Sequence, residues 1–385
     1  MNMKKKVVRK STGAEAIALH KKLKGKIAIS SKMKVSLETL SLLYTPGVAK
    51  VSTLLSEHPE KTNQYTWRGN TVAVVSDGSA VLGLGNIGPE GALPVMEGKA
   101  MLFQALSGID AVPIVLATQD TEEIIATVKN LAPSFAGVNL EDISAPRCFE
   151  IEERLKEMLD IPVMHDDQHG TAMVVLAGLI NALKVVKKKP KDCIVVVAGA
   201  GAAGQAIVDQ LIRFGMGEII VVDSKGIIHH DRPDLDKYKK DIADRTNQSR
   251  ISGSIEDAMQ GADVFIGVSK GDTVTVDMVA SMAIDPIVFA LANPHPEILP
   301  EDAKRGGAAV VATGRSDFEN QLNNALGFPG IFRGALDHEV KEITDDMLFS
   351  GAKALAKLVA KPTAQMIIPS VFDIRVAKAV ARAIK

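Results

Sequence analysis

Several things are scarce in this 385-residue chain, and each scarcity removes a class of function. Cysteine occurs only twice, at Cys148 and Cys193, far apart and without metal-type spacing, so neither a disulfide framework nor a thiolate zinc site is indicated. Both are expected to be small buried apolar residues. Aromatic residues make up 4% of the chain, which offers no stacking platform for bases. The formal charge of -1 and pI near 6.7 leave no basic footprint for nucleic acid, which is therefore not an expected partner. No stretch approaches ~18 uncharged apolar residues, and the basic start Met1 to Lys6 is not followed by the apolar core of a secretory signal. The expectation is no membrane segment and a soluble, cytoplasmic protein.

At 385 residues the chain exceeds the size at which one core stops growing, so two domains are expected. Strand-like runs at Thr71 to Val75 and Val112 to Leu116, with a helix around Lys99 to Leu106, begin an alternation that continues to Met164. A long apolar helix from Thr171 to Val186 then meets the charged break Lys187 to Lys191, with Pro190 inside it. Beyond it, strands are predicted at Cys193 to Ala198, Glu218 to Val222, Val264 to Val268 and Ile287 to Leu291, and helices from Asp345 onward. The fold class read from this is α/β: an N-terminal substrate- and metal-binding domain over 1–168, a Rossmann-type nucleotide domain over 169–340, and a helical segment over 341–385 that packs back on the core. The segment up to about Leu40 reads as helical, on the spacing of Ala14, Ile17, Ala18 and Leu23.

Acidic residues sit where strands end. Glu141 and Asp142 follow the run Ser134 to Val138, and Asp166 and Asp167 follow Ile161 to Met164. Open α/β sheets bind ligands beyond the carboxyl ends of their strands, and carboxylates massed there repel one another unless a cation or a shared proton intervenes. All-oxygen ligands favour Mg²⁺ or Mn²⁺ over zinc. The plainer alternative makes Asp167 a helix cap and Glu141 and Asp142 surface charges. His165 and His169 flank the group and read as orienting neighbours rather than ligands.

The pattern Gly199-Ala200-Gly201-Ala202-Ala203-Gly204 follows a strand directly, opens a helix from Gln205, and is followed about 20 residues later by Asp223. That context predicts dinucleotide binding, with Asp223 accepting from the ribose hydroxyls and favouring NAD over NADP. Lys225 softens that preference, so NADP stays open. A second match, Gly83 to Gly88, lies beyond its strand with Pro89 and Pro94 in what would be the phosphate-facing helix, and reads as a structural loop lining a site.

Seven stretches resemble the malic enzymes: Tyr44-Thr45-Pro46-Gly47, Ser76-Asp77-Gly78 through Gly88, Glu141-Asp142-Ile143, Asp166 through Thr171, Val222 through Gly226, Ala292-Asn293-Pro294, and Asn323 through Gly330. The similarity runs from about Tyr44 to about Asp337 and is of the small-subunit, prokaryotic type. The resemblance implies Tyr44 as general acid, Lys99 as general base, Asp166 as the partner of Lys99, and Glu141, Asp142 and Asp167 as ligands of Mn²⁺ or Mg²⁺. It implies that Asn293 and Asn324 contact substrate near the nicotinamide. The arginine that grips a substrate carboxylate in large-subunit relatives is missing: Ser79, Ala80 and Val81 stand in that loop.

The activity so implied is oxidative decarboxylation of (S)-malate to pyruvate and CO₂ with reduction of NAD or NADP, with oxaloacetate decarboxylation alongside. A malolactic outcome, releasing lactate, and a non-catalytic nucleotide-binding scaffold are the alternatives. A homodimer or tetramer is expected, and Tyr44 is far enough from Lys99 in sequence to reach the site of a neighbouring subunit.

Overall fold

The computed structural model describes residues 13–81 and 83–385; the basic start Met1 to Lys6 and Leu82 of the Gly78 to Leu82 loop lie outside the described residues. Two sheets organise the chain. In the first, β1 (Thr71–Ser76), β2 (Asp110–Val115), β3 (Gly137–Leu140) and β4 (Val163–His165) are all parallel, in the order β2-β1-β3-β4. Every residue of β1, β3 and β4 is buried, as expected where helices cover both faces of a parallel sheet.

The second sheet contains β5 (Ile194–Ala198), β6 (Glu218–Asp223), β7 (Gly226–Ile227), β8 (Val264–Gly267), β9 (Ile287–Ala290) and β10 (Val310–Thr313), in the order β10-β9-β8-β5-β6-β7. Its pairings are parallel except for the short β6–β7 hairpin. The chain leaves β5 toward β6 and returns to β8 on the other side, so the strand order reverses at β5. That reversal opens a crevice at the carboxyl end of β5.

The helix Asp166–Val186 joins the two halves. It is long and apolar enough to cross a membrane, but most of its apolar stretch is buried inside the protein, packed against the helices Ala202–Phe214 and Asp345–Lys357. The final helix, Arg375–Ala381, lies against Phe328–Asp337, Asp345–Lys357 and Gly88–Ser107, so the tail touches elements of both halves.

Several expectations need adjusting. Residues up to Leu40 are not one helix: Gly13–Leu23 and Leu37–Leu43 are separate, the first ending just before Lys24 and Gly25, both at positive φ. The helix carrying Lys99 starts at Gly88 and runs through both Pro89 and Pro94. Pro89 sits in the first turn, where its missing N–H removes no helical bond, and Pro94 is accommodated within the helix. The long helix begins at Asp166, five residues before the first predicted position, and β10 was not predicted.

Candidate active site

Three strand ends converge at the top of the first sheet. Beyond β3, Glu141 donates its N–H to Val75 O at 2.9 Å and Asp142 O accepts from Ala80 N at 2.9 Å, which stitches the β3 loop to β1. Asp142 takes a left-handed conformation at φ 54, an uncommon backbone state held here by these bonds. Its N–H donates to Asp167 Oδ2 at 2.8 Å. Asp167 is therefore not the helix cap; it stands in the first turn of Asp166–Val186, whose N-cap position is His165. One oxygen each from Glu141, Asp142 and Asp167 lies within 4.8 Å of the others. Three carboxylate oxygens this close, at a partly exposed position, suit a hard divalent cation such as Mg²⁺ or Mn²⁺.

Lys99 is 7% exposed, and its ammonium lies 2.5 Å from Asp166 Oδ2 and 2.7 Å from Glu141 Oε1. Asp166 fits only because residue 170 is glycine: a Cβ there would stand 1.8 Å from Asp166 Oδ1. The ring of Phe328 lies 4.2 Å from the Lys99 ammonium, a cation–π contact that the sequence did not disclose. Burial lowers the pKa of Lys99, but the charges of Asp166, Glu141 and Asp167 act the other way and win, leaving it raised. Burial likewise pushes Glu141 and Asp166 up to about 7 and Asp167 up to about 6, against the pull of Lys99. Four carboxylates around one lysine hold more negative charge than it neutralises, which is the electrostatic case for a cation.

A further carboxylate fixes the start of this helix. Glu152 is buried and accepts from His165 N at 3.0 Å, Gln168 Nε2 at 2.9 Å and Lys156 Nζ at 2.9 Å, with His169 Nε2 at 3.0 Å. Both histidines are thus outside the carboxylate trio, His165 Nε2 standing 3.9 Å from Asp167 Oδ2. Arg147 donates to Ser79 Oγ at 2.9 Å and pairs with Asp77 at 2.9 Å, which holds the loop after β1. Nothing in the local sequence pattern marks Glu152 or Arg147, since their partners are brought close only by the fold.

The nucleotide fingerprint has the expected form. Gly199 N donates to Val222 O at 2.8 Å, and a Cβ on Gly204 would lie 1.8 Å from Gly199 O, so the helix Ala202–Phe214 can start only against glycine. Asp223 ends β6, but Arg232 (2.8 Å) and Lys239 (2.8 Å) engage its carboxylate, and together these cations hold its pKa low against burial. The Lys225 ammonium instead pairs with Asp234 at 2.8 Å, and its backbone N–H donates to Asp223. The cations beside Asp223 are thus Arg232 and Lys239, contributed by the following loop and helix.

One cavity of about 760 Å³ runs between the halves and is lined by Lys99, Glu141, Asp142, Asp167, Gly201 to Ala203, Asn293 and Asn324. Buried Glu297 ties two of its walls together, accepting from Ser269 N at 3.0 Å and Ala292 N at 3.1 Å. The loop of the second glycine pattern also borders it: Gly83 is so close to Asn293 O that a Cβ would meet it at 1.6 Å. Tyr44 is absent from this convergence. It ends the helix Leu37–Leu43, is 66% exposed, and does not line the cavity.

A Rossmann-type sheet whose crevice opens onto a buried lysine and a trio of carboxylates defines a two-domain nicotinamide-nucleotide oxidoreductase. Residues 23–156 match the family model described as malic enzyme, N-terminal domain, and residues 168–385 that described as malic enzyme, NAD binding domain. The chain is 55% identical over 374 residues to the bifunctional malic/malolactic enzyme of Bacillus subtilis, covering 96% of this chain and 91% of that protein. It is 56% identical over 363 residues to the NAD-dependent malic enzyme of Geobacillus stearothermophilus, covering 94% and 76%. The crystal structure of the NAD-dependent malic enzyme of Thermotoga maritima superposes with a TM-score of 0.93 at 54% identity, covering 96% and 98%. The chain belongs to the malic enzyme family.

Proposed function

We propose that this protein oxidises and decarboxylates (S)-malate to pyruvate and CO₂, reducing NAD⁺. The observation that carries the reading is a buried lysine set against a cation-sized carboxylate trio in the cavity that also contains the nucleotide turn. Glu141, Asp142 and Asp167 would hold Mg²⁺ or Mn²⁺. When bound, that ion would supply Lewis-acid polarisation of the substrate, and the nicotinamide would supply a hydride acceptor.

The chain's own residues handle protons and position. Lys99 takes the proton of the C2 hydroxyl, and a divalent charge among its carboxylate neighbours offsets their upward pull on its pKa. Asp166 holds the ammonium in place. Asn293 and Asn324 contact the substrate, while Gly199, Gly201, Ala202, Ala203 and Gly204 receive the pyrophosphate and Asp223 the ribose. The cations on Asp223 reduce the repulsion of a 2′-phosphate, and further relatives are named NADP-dependent, so NADP is a second acceptor.

Tyr44 protonates C3 after CO₂ leaves, and does so in the cleft of a second copy. No residue from 13 through 70 is buried, and this arm exposes Leu37 (90%), Leu42 (64%), Leu43 (59%), Tyr65 (53%) and Trp67 (46%). Exposed apolar side chains of this kind mark an interface between proteins, and a symmetric dimer would present the Tyr44 stretch of each arm to its neighbour.

One assay tests the reading: malate with NAD⁺ or NADP⁺, with and without Mn²⁺, and the product identified. Metal-dependent reduction with pyruvate as product is expected; activity that survives complete metal removal would falsify it. Because the Bacillus subtilis relative is named malic/malolactic, lactate with no net reduction is the second outcome to watch for.

A further inference from the structure

In the loop where the resemblance to large-subunit malic enzymes would place a carboxylate-gripping arginine, this chain has Ser79, Ala80 and Val81. Malate is a dianion, and a dianion entering a cavity walled by carboxylates needs more positive charge than a metal-bound trio provides. Among the described residues lining the cavity the charged groups are Glu141, Asp142, Asp167, Lys99 and Lys26. Lys99 is already committed to Asp166 and Glu141. His20, which also lines it, has its Nδ1 2.8 Å from Ala16 O.

Lys26 reaches the cavity from the N-terminal arm, and its placement is built rather than incidental. Gly25 takes φ +126, a conformation open to glycine, which turns the chain onto the Lys99 helix with Glu97 Oε1 beside it. The backbone N–H of Lys26 then donates to Glu97 Oε2 at 3.2 Å. Its ammonium donates to Pro94 O at 2.5 Å and lies over Gly98, where even a Cβ would stand 3.6 Å away. An ammonium has three protons, and one carbonyl uses one of them. Partial burial lowers the Lys26 pKa, and the charge of Glu97 acts the other way.

We propose that Lys26 is a substrate-binding residue that takes the place of the missing arginine, its ammonium pairing with the malate carboxylate that remains in pyruvate. The inference rests on the function proposed above. The choice between the two carboxylates follows from the chemistry. A cation fixed on the departing carboxylate would stabilise the anion that must become neutral CO₂, and so would slow its loss. On the retained carboxylate the same cation binds substrate and product alike.

The test is steady-state kinetics in both directions on Lys26→Gln and Lys26→Arg, with calorimetric binding of malate in the presence of NADH and Mn²⁺. For Lys26→Gln, loss of one charge-assisted contact predicts KM values for malate and pyruvate, and the malate Kd, each raised about 10–100-fold. Its kcat changes far less and its KM for NAD⁺ stays within twofold. Lys26→Arg retains most of the affinity and controls for loss of the turn. A malate KM unmoved in Lys26→Gln overturns the inference, as does a pyruvate KM unmoved while that for malate rises. Equal increases for malate and NAD⁺ with a lowered thermal midpoint would make Lys26 a pin for the arm and overturn it as well. Wild-type protein inactive on malate overturns the functional reading and this inference together, whereas an active wild type with an indifferent variant overturns this one alone.

Discussion

The N-terminal arm and the cleft invert the ordinary arrangement of residues in opposite senses. The arm, residues 13–70, keeps leucines, isoleucines and a tryptophan at the surface and buries none of its residues. The cleft buries Lys99, Glu141, Asp142 and Asp166. Exposed apolar surface is resolved by a protein partner, and buried like charge by a cation. The difference teaches that the two halves of the proposed chemistry are completed in different ways. On the function proposed, base and metal ligands are assembled by one chain, while the acid would sit on an element completed by a second copy.

The largest effect expected is in the cleft. Lys99→Met removes the base and should cut kcat for malate oxidation by about 10²–10⁴-fold with the protein still folded by circular dichroism. Near-normal turnover would break the comparison, because the cleft would then not be where the proton is taken. On the arm, Tyr44→Phe should cost pyruvate formation about 10²-fold or more while oxaloacetate reduction suffers less, since only the first needs a proton at C3. Equal losses in both assays would remove Tyr44 from that step.

A smaller effect sharpens the contrast through pH. The folded-state pKa values of Glu141 and Asp166 stand at about 7 and that of Asp167 at about 6, all above ordinary carboxylate values near 4. Between pH about 4 and about 7 the metal-free folded state therefore holds protons that the unfolded chain has released, so these groups favour folding at low pH and lose that contribution as pH rises through 6 to 7. The thermal midpoint of metal-free protein should fall by several degrees from pH 5 to pH 8. Mn²⁺ affinity should rise across the same interval, because the ion displaces those protons. A midpoint independent of pH in the absence of metal would mean that the carboxylates are not crowded as described.

Much of this site was legible from local pattern. Glycine spacing behind a strand and acidic pairs at strand ends are short-range signals, and Gly199 to Gly204 and the Glu141, Asp142 and Asp167 trio lie where such signals put them. What escaped is held by contacts between distant segments. Glu152 secures His165 and Gln168 from another helix, Phe328 reaches Lys99 across more than two hundred positions, and Arg232 and Lys239 converge on Asp223. Pro94 misled because proline usually interrupts a helix, and here Gly88–Ser107 simply continues through it. Of the arm, sequence distance alone suggested that Tyr44 could reach a neighbouring subunit, whereas the outward position of its leucines and Trp67 is visible only in the fold.

The most direct test of the account mixes two inactive variants. Lys99→Met and Tyr44→Phe proteins would be unfolded together, refolded as a mixture and assayed for pyruvate formation against each variant refolded alone. If Tyr44 serves the neighbour's cleft, half the dimers are mixed and each has one intact site, so activity should return to about a quarter of wild type. Activity no higher than the mean of the two separate variants, in a mixture shown to contain mixed dimers, would contradict the claim that arm and cleft meet between chains.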